Sequence, residues 1–458
     1  MPAPDLETVV SLAKRRGFVF PSAEIYGGFA NTYDYGPLGV ELKRNIREAW
    51  WRSMVLERDD VVGMDGALIT NPKVWEASGH VANFNDPLVD CKRCKQRFRV
   101  DHLEEGAYGP VKRDAAGRIV CPIDGGELTE PRLFNMMFKT HVGPVEDEAS
   151  IAYLPPETAQ AMFINFVNVQ QSMRLKLPFG IAQTRVSFRN EITPGRFIFR
   201  TLEFEQMEME YFCKPETAER WYRYWIEERL RWYVEVLGIS PQRLRLREHS
   251  KEELAHYSAG TTDIEYEFPW GWGELEGIAN RTDYDLKAHS QYSGVSLTYY
   301  DEESGQHIVP YVIEPAAGLT RTLAVLLLEC YTVEPDEKGD PRVVMKFRPS
   351  IAPIKVAVLP LSKNEQLRPL ARKVFDLVRP HWMAQYDDTQ SIGRRYRRQD
   401  EIGTPYCVTI DFESLQDEAV TIRDRDTQAQ VRVPIANLLD ALRERLGVCE
   451  PAPGSRRD

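Results

Sequence analysis

The chain has 458 residues, 43% hydrophobic and 28% charged, and its 9 Trp, 20 Tyr and 19 Phe exclude a mostly disordered polypeptide. No apolar run approaches the roughly 18 residues that a membrane helix needs, and the acidic start around Asp5 and Glu7 does not read as a signal peptide. With 58 Lys and Arg against 69 Asp and Glu, the net charge of -11 argues on its own against a nucleic-acid partner.

Positions 40–56 read as a helix, with Leu42, Ile46, Ala49, Trp50 and Met54 on one stripe. Positions 157–177 read as a second, with Pro156 suited to its first turn and Pro178 ending it. Between 180 and 212 the period drops to two, in two long strands. Positions 216–237 form a long aromatic-rich helix, 272–278 and 308–314 return to strand, and 319–330 is an amphipathic helix. Long neighbouring strands with no helix between them predict an antiparallel sheet with helices packed on it, an α+β class. The run Arg348-Pro349-Ser350-Ile351-Ala352-Pro353 reads as a linker. Beyond it, a strand at 356–359, a helix at 366–378 and a strand at 407–410 predict a small α/β domain. Charge divides at the same point: 41 basic against 53 acidic residues over 1–350, and 17 against 16 over 351–458.

Arg189 and Glu191 follow Phe188 at strand spacing, so they share a face about 6.6 Å apart at roughly 3.3 Å per residue. The next strand carries Arg200, Phe204 and Glu208 at even spacing. Guanidinium forks suit phosphate oxygens, a ring suits a base, and acids suit magnesium or an amine. The alternative is a surface hairpin with weak cross-strand ion pairs, and on this segment alone it is the better reading. Gly318-Leu319-Thr320-Arg321 turns a strand into a helix whose N-terminus favours an anion, although the pattern also fits an ordinary turn. Glu157, Glu274 and Glu314 are further acids that, converging, would bind a small ammonium group.

The order of these segments is more specific than any one of them. Tyr33-Asp34-Tyr35-Gly36-Pro37-Leu38-Gly39-Val40, Asn71-Pro72-Lys73-Val74-Trp75-Glu76, Pro156-Glu157-Thr158-Ala159-Gln160, the Arg189 hairpin and the Glu314–Arg321 turn follow one another along the chain. Taken together the chain resembles, end to end, the dimeric class II glycyl-tRNA synthetases. The resemblance implies a class II catalytic domain over 1–350, with an insertion at 86–132, and an anticodon-binding domain over 351–458. It implies a cytoplasmic homodimer that binds no membrane, activates glycine with ATP and magnesium, and passes it to its cognate tRNA. It assigns catalysis to Arg189, Glu191 and Arg321. It borders ATP with those residues and with Asn190, Phe199, Arg200, Phe204, Glu274, Leu275 and Gly318. It surrounds glycine with Arg99, Glu157, Phe204, Glu205, Gln206, Glu208, Glu314 and Gly318.

This sequence also departs from the family pattern. Ala316 stands where a serine usually follows Glu-Pro, Pro155 replaces an arginine before Glu157, and Gly195 replaces an arginine in the hairpin turn, with Arg196 one residue later. A lowered glycine affinity is the expectation. Cys91-x2-Cys94 and Cys121-x2-Asp124 have zinc-knuckle spacing, with Asp124 in the fourth place. Either three cysteines and an aspartate hold zinc, or the knuckle folds without metal. Cys213, Cys330, Cys407 and Cys449 read as core or incidental thiols, which fits a reducing cytosol. Arg394-Arg395-Tyr396-Arg397-Arg398 is a basic cluster with a ring, suited to RNA phosphates and bases or else a solvated helix face. Two rivals remain on sequence alone: another class II ligase, and a non-catalytic relative, which would be marked by loss of Arg189 or Arg321.

Overall fold

A computed structural model describes residues 5–447 except 105, 107, 192–195, 252, 256–257 and 337–338. Its centre is a seven-stranded sheet of β1 (Val61–Gly63), β2 (Phe179–Phe188), β3 (Glu203–Cys213), β4 (Leu244–Glu248), β5 (Gly260–Phe268), β6 (Gly271–Thr282) and β7 (Tyr311–Gly318). Their order is β4-β5-β6-β7-β3-β2-β1, and every neighbouring pair is antiparallel except β1 and β2. This is the expected α+β arrangement.

Strand alternation decides what each face does. On β3, Met207, Met209, Tyr211 and Cys213 enter the main apolar core, while Gln206, Glu208 and Glu210 point to the other face. The core face is covered by helices α1 (Leu6–Arg16), α2 (Pro37–Trp51), α3 (Ala218–Arg231) and α4 (Leu319–Glu329). Helix α4 buries Leu319, Leu323 and all of Val325, Leu326, Leu327 and Leu328, which explains its position under the sheet centre. Arg229 of α3 and Glu276 of β6 pair at 2.7 Å with no exposure, taking a charge through the core.

Several predicted elements are shorter than their patterns. The helix at 157–177 is two, Ala159–Ile164 and Phe166–Met173, because the Asn165 side chain bonds the Ala161 carbonyl and breaks the turn. The helices at 40–56 and 216–237 each finish in a π turn, Arg52–Leu56 and Trp232–Val236. Around the 86–132 stretch a three-stranded sheet of Asn85–Asp90, Arg97–Arg99 and Arg132–Asn135, reaching slightly past both ends of it, carries a small core of its own around Val89, Phe98 and Leu103.

Residues 356–446 build a five-stranded sheet with a separate apolar core. Val356–Pro360 lies parallel to Ala384–Tyr386 and Tyr406–Ile410, and Ala419–Asp424 with Gln430–Pro434 adds an antiparallel edge. This part is locked to the rest through buried ion pairs. Asp400 receives Arg342 at 2.7 Å and Arg423 at 2.9 Å, and Arg425 donates to the Phe347 carbonyl at 2.8 Å. Gly403, at φ +79, is needed there, since a Cβ would fall 2.4 Å from the Phe347 ring. No helix among the described residues is long and apolar enough to cross a membrane.

Candidate active site

A cavity of about 300 Å³ opens on the polar face of the sheet, over β3, β6 and β7. One side is basic and aromatic. Strand β2 stops at Phe188, and the backbone then tightens, with Glu191 N–H donating to the Arg189 carbonyl at 2.8 Å. Both side chains still line the cavity. Arg189 is held by its Nε on the Pro156 carbonyl at 2.9 Å, and its guanidinium lies 5.3 Å from the Phe204 ring and 5.5 Å from Phe84. Arg321 projects from the first turn of α4. It lies 4.9 Å from the Phe199 ring, donates to the Phe199 and Glu274 carbonyls at 3.3 and 3.2 Å, and pairs with the Glu274 carboxylate at 3.2 Å. Arg321 holds Glu274 below the usual carboxylate range. Gly318 lines the wall, where a Cβ would crowd the Arg321 stem at 3.2 Å. Arg200 completes this half, and Asp263, raised by burial and then by Glu274, bonds His249 at 2.7 Å at its far rim.

The other side is acidic and deeply buried. Glu208 accepts from the Thr158 N–H at 3.1 Å and from its hydroxyl. Glu314 accepts from Arg281 at 2.8 Å, and Arg281 also grips Asp285 with two bonds of 2.8 Å. Glu157 meets His80 at 3.2 Å and Gln160 at 2.8 Å. Burial opposes its charge, but His80, Arg281 and Gln160 hold it well below the usual range. Burial, then Glu314, raises Glu208 and Glu210; burial raises Glu314.

The structure therefore gathers Glu157, Arg189, Glu191, Phe199, Arg200, Phe204, Gln206, Glu208, Glu274, Glu314, Gly318 and Arg321 around one cavity. Four expected residues lie elsewhere. Glu205 is on the opposite face of β3, bound to Lys43 and Arg47 of α2, because it has the wrong parity on the strand. Leu275 is fully buried in the main core for the same reason. Arg99 pairs with Asp86 at 3.1 Å and Asp101 at 2.6 Å and does not line the cavity. Asn190 donates its N–H to the Met136 carbonyl and also stays off the wall. Sequence reasoning missed Arg281, Thr158 and His80, which position the acids, and Glu210, which lies beneath the wall and off the cavity lining. Glu210 was legible, two residues from Glu208 on one strand; the others come from distant segments.

Ala316 lines the cavity opposite Glu208 in register, and Pro155 accepts the Phe188 N–H at 2.8 Å. Gly195 and Cys449 lie outside the described residues; Arg196 sits 5.3 Å over Trp270. In the insertion, Cys91, Cys94, Cys121 and Asp124 bring four ligand atoms within 4.8 Å of one another. Two backbone N–H groups, of Arg93 and Cys94, point at the Cys91 sulfur at 3.4 Å, which favours its thiolate. The donor set fits zinc. Cys213, Cys330 and Cys407 are buried thiols, as expected.

The basic cluster at 394–398 is largely structural. Arg395 is buried against the Leu361 and Asp387 carbonyls at 3.1 Å, and Arg398 is tied to Asp387 at 3.1 Å. Tyr396 donates to or accepts from Thr409 at 2.6 Å beneath Arg423, so its ring is not a stacking platform. Arg394 and Arg397 remain exposed. The helix has one face against the sheet, and the charge run crosses both faces.

Residues 139–330 match the tRNA synthetase class II core domain (G, H, P, S and T), and residues 355–445 match the anticodon binding domain. The glycine–tRNA ligase of Thermobifida fusca is 56% identical over 456 residues, covering 97% of this chain and 98% of that protein. That of Mycolicibacterium vanbaalenii is 57% identical over 460 residues, covering 96% and 98%. The chain belongs to the glycine–tRNA ligase family. The Streptomyces coelicolor member, 53% identical over 462 residues, is matched along its whole length. In this family's class II core the antiparallel sheet and flanking helices carry the cavity, and the C-terminal α/β part is the anticodon-binding domain.

Proposed function

We propose that this chain charges its cognate tRNA with glycine, forming glycyl-adenylate from glycine and ATP and then releasing AMP. The observation that carries this reading is one cavity with Arg189, Arg200 and Arg321 at its phosphate side and buried carboxylates at its other end. ATP would lie with its base on Phe204, its α-phosphate at Arg189 and its γ-phosphate at Arg321. The glycine carboxylate oxygen attacks the α-phosphorus in line, and the bond to pyrophosphate breaks. Arg189, fixed on the Pro156 carbonyl, faces the charge that grows on the α-phosphate oxygens. Asp263 and Glu274 are hard oxygen donors near the phosphate side and would hold magnesium, which neutralises phosphate charge when bound. The glycine ammonium would face Glu208, Glu314 and Glu157. A larger amino acid would have to fit a side chain where glycine has a hydrogen, so selection would rest on sterics rather than on the roughly 1–3 kcal/mol that a missing methylene supplies.

The division into 1–350 for catalysis and 351–458 for RNA belongs to this reading, as does zinc on Cys91, Cys94, Cys121 and Asp124, where it would brace the insertion. Exposed Ile25, Tyr26 and Phe29, at 88%, 86% and 67%, support a homodimer face beside the strand at 33–35. A cytoplasmic place fits the buried free thiols. Pyrophosphate exchange against a panel of amino acids, with charging of total tRNA by labelled glycine, tests the proposal. Exchange with another amino acid, or a folded protein that charges nothing, overturns it.

A further inference from the structure

The acidic end of the cavity holds more carboxyl groups than positive charge. Strand β3 contributes Glu208 and Glu210, and β7 contributes Glu314; one oxygen of each lies within 4.8 Å of the others. The facing cation is Arg281 from β6, and it is already divided between Glu314 and Asp285 of the helix Tyr284–Ser293. From the same helix, His289 bonds Gln160 at 2.7 Å. His80 is taken by Glu157. Glu208 and Glu314 bring carboxyl oxygens within 4.8 Å of each other in a buried site, and two like charges held that close favour one shared proton. Glu210 has no exposure, and neither of its oxygens has a hydrogen-bond partner among the described residues. An ionised carboxylate left this way carries a desolvation cost that protonation greatly lowers.

We infer that Glu210 is a neutral carboxylic acid beneath the pocket, and that the substrate ammonium enters by displacing the proton shared by Glu208 and Glu314. The balance is simple: the protonated pair plus zwitterionic amino acid gives the clasped ammonium and one proton delivered to solvent. The ammonium brings three donors, and the oxygens facing each other across the pair are the acceptors that Thr158 and Arg281 leave to it. Burial keeps both groups above the ordinary carboxylate range until that cation arrives.

This rests on glycine being the substrate, and the test separates the two. Glycine is titrated into the full-length protein by calorimetry, in buffers of different ionisation enthalpy. Release of about one proton per bound glycine is expected, with the glycine KM in pyrophosphate exchange falling up to tenfold per pH unit while the pair holds its proton. Glu208→Gln, which cannot carry the proton, is expected to lose the release. Glu210→Gln, a neutral isostere, is expected to keep both release and KM within about threefold. Measurable glycine binding with no buffer-dependent heat overturns the inference and leaves the glycine reading intact. So does a glycine KM raised more than tenfold in a folded Glu210→Gln protein, since that would require an ionised Glu210. Binding of another amino acid and not glycine overturns the substrate reading itself.

Discussion

Arg281→Met is the sharpest test of how the acidic pocket is held. The guanidinium is 1% exposed and makes three bonds of 2.8 Å to Asp285 and Glu314. Methionine keeps the volume and removes the charge, leaving two buried carboxyl groups without their cation. Removing one partner of a buried pair costs about 3–5 kcal/mol, and a cation shared by two acids belongs near the upper figure, about 5 kcal/mol. The cost depends on pH. Arg281 is the main influence that pulls Glu314 down against burial, so its loss raises Glu314 further above its unfolded value. A carboxyl raised in the folded state contributes stability below its unfolded pKa, and that contribution is lost as pH rises. The variant is therefore expected to be least impaired at roughly pH 5 and most at roughly pH 8. Urea titration followed by tryptophan fluorescence reads this, because Trp50, Trp225 and Trp232 sit in the core behind the sheet. A loss under about 1 kcal/mol at both pH values would refute the reasoning, since it would show that the acids do not depend on this cation.

Arg321→Ala should lower adenylate formation roughly 10²–10³-fold, the scale of losing one charge-stabilising donor, with the fold intact by circular dichroism. An unchanged exchange rate would remove Arg321 from the phosphate site. Ala316→Ser places a hydroxyl on the cavity wall opposite Glu208; one added hydrogen bond of about 1 kcal/mol should lower the glycine KM about fivefold. A KM that does not move would mean the missing hydroxyl is immaterial here. Elemental analysis of the full chain should find about one zinc per protein, lost in Cys121→Ser together with a lower melting temperature of the insertion, and kept in Asp124→Cys. Full folding of the insertion in the presence of a strong chelator would contradict this.

Much of the sheet was legible because its polar and apolar residues alternate. The parity that puts Met207 and Met209 in the core also puts Gln206 and Glu208 in the cavity. Glu205 was misplaced by treating 203–208 as a block, where the strand allows only alternate positions. Leu275 failed in the same way, since a neighbour of Glu274 on a strand faces the core. Arg281 was not legible: its partners lie 4 and 33 residues away, and only the meeting of β6 with β7 and the following helix brings them together. The basic run at 394–398 looked like an RNA surface because composition carries no information on which helix face is buried; Arg395 and Tyr396 are on the inner one.

The lock around Asp400 has a consequence for reach. Arg342 comes from one side of the junction and Arg423 from the other, and both end on the same carboxylate, 1% exposed. Such a joint resists turning, since moving one part against the other would strand a buried charge. The two parts then behave like the jaws of a caliper fixed at one opening. An RNA would then be gauged by whether its acceptor end and its far loop fall at that separation. A change at Asp400, touching neither jaw, would alter which RNAs fit.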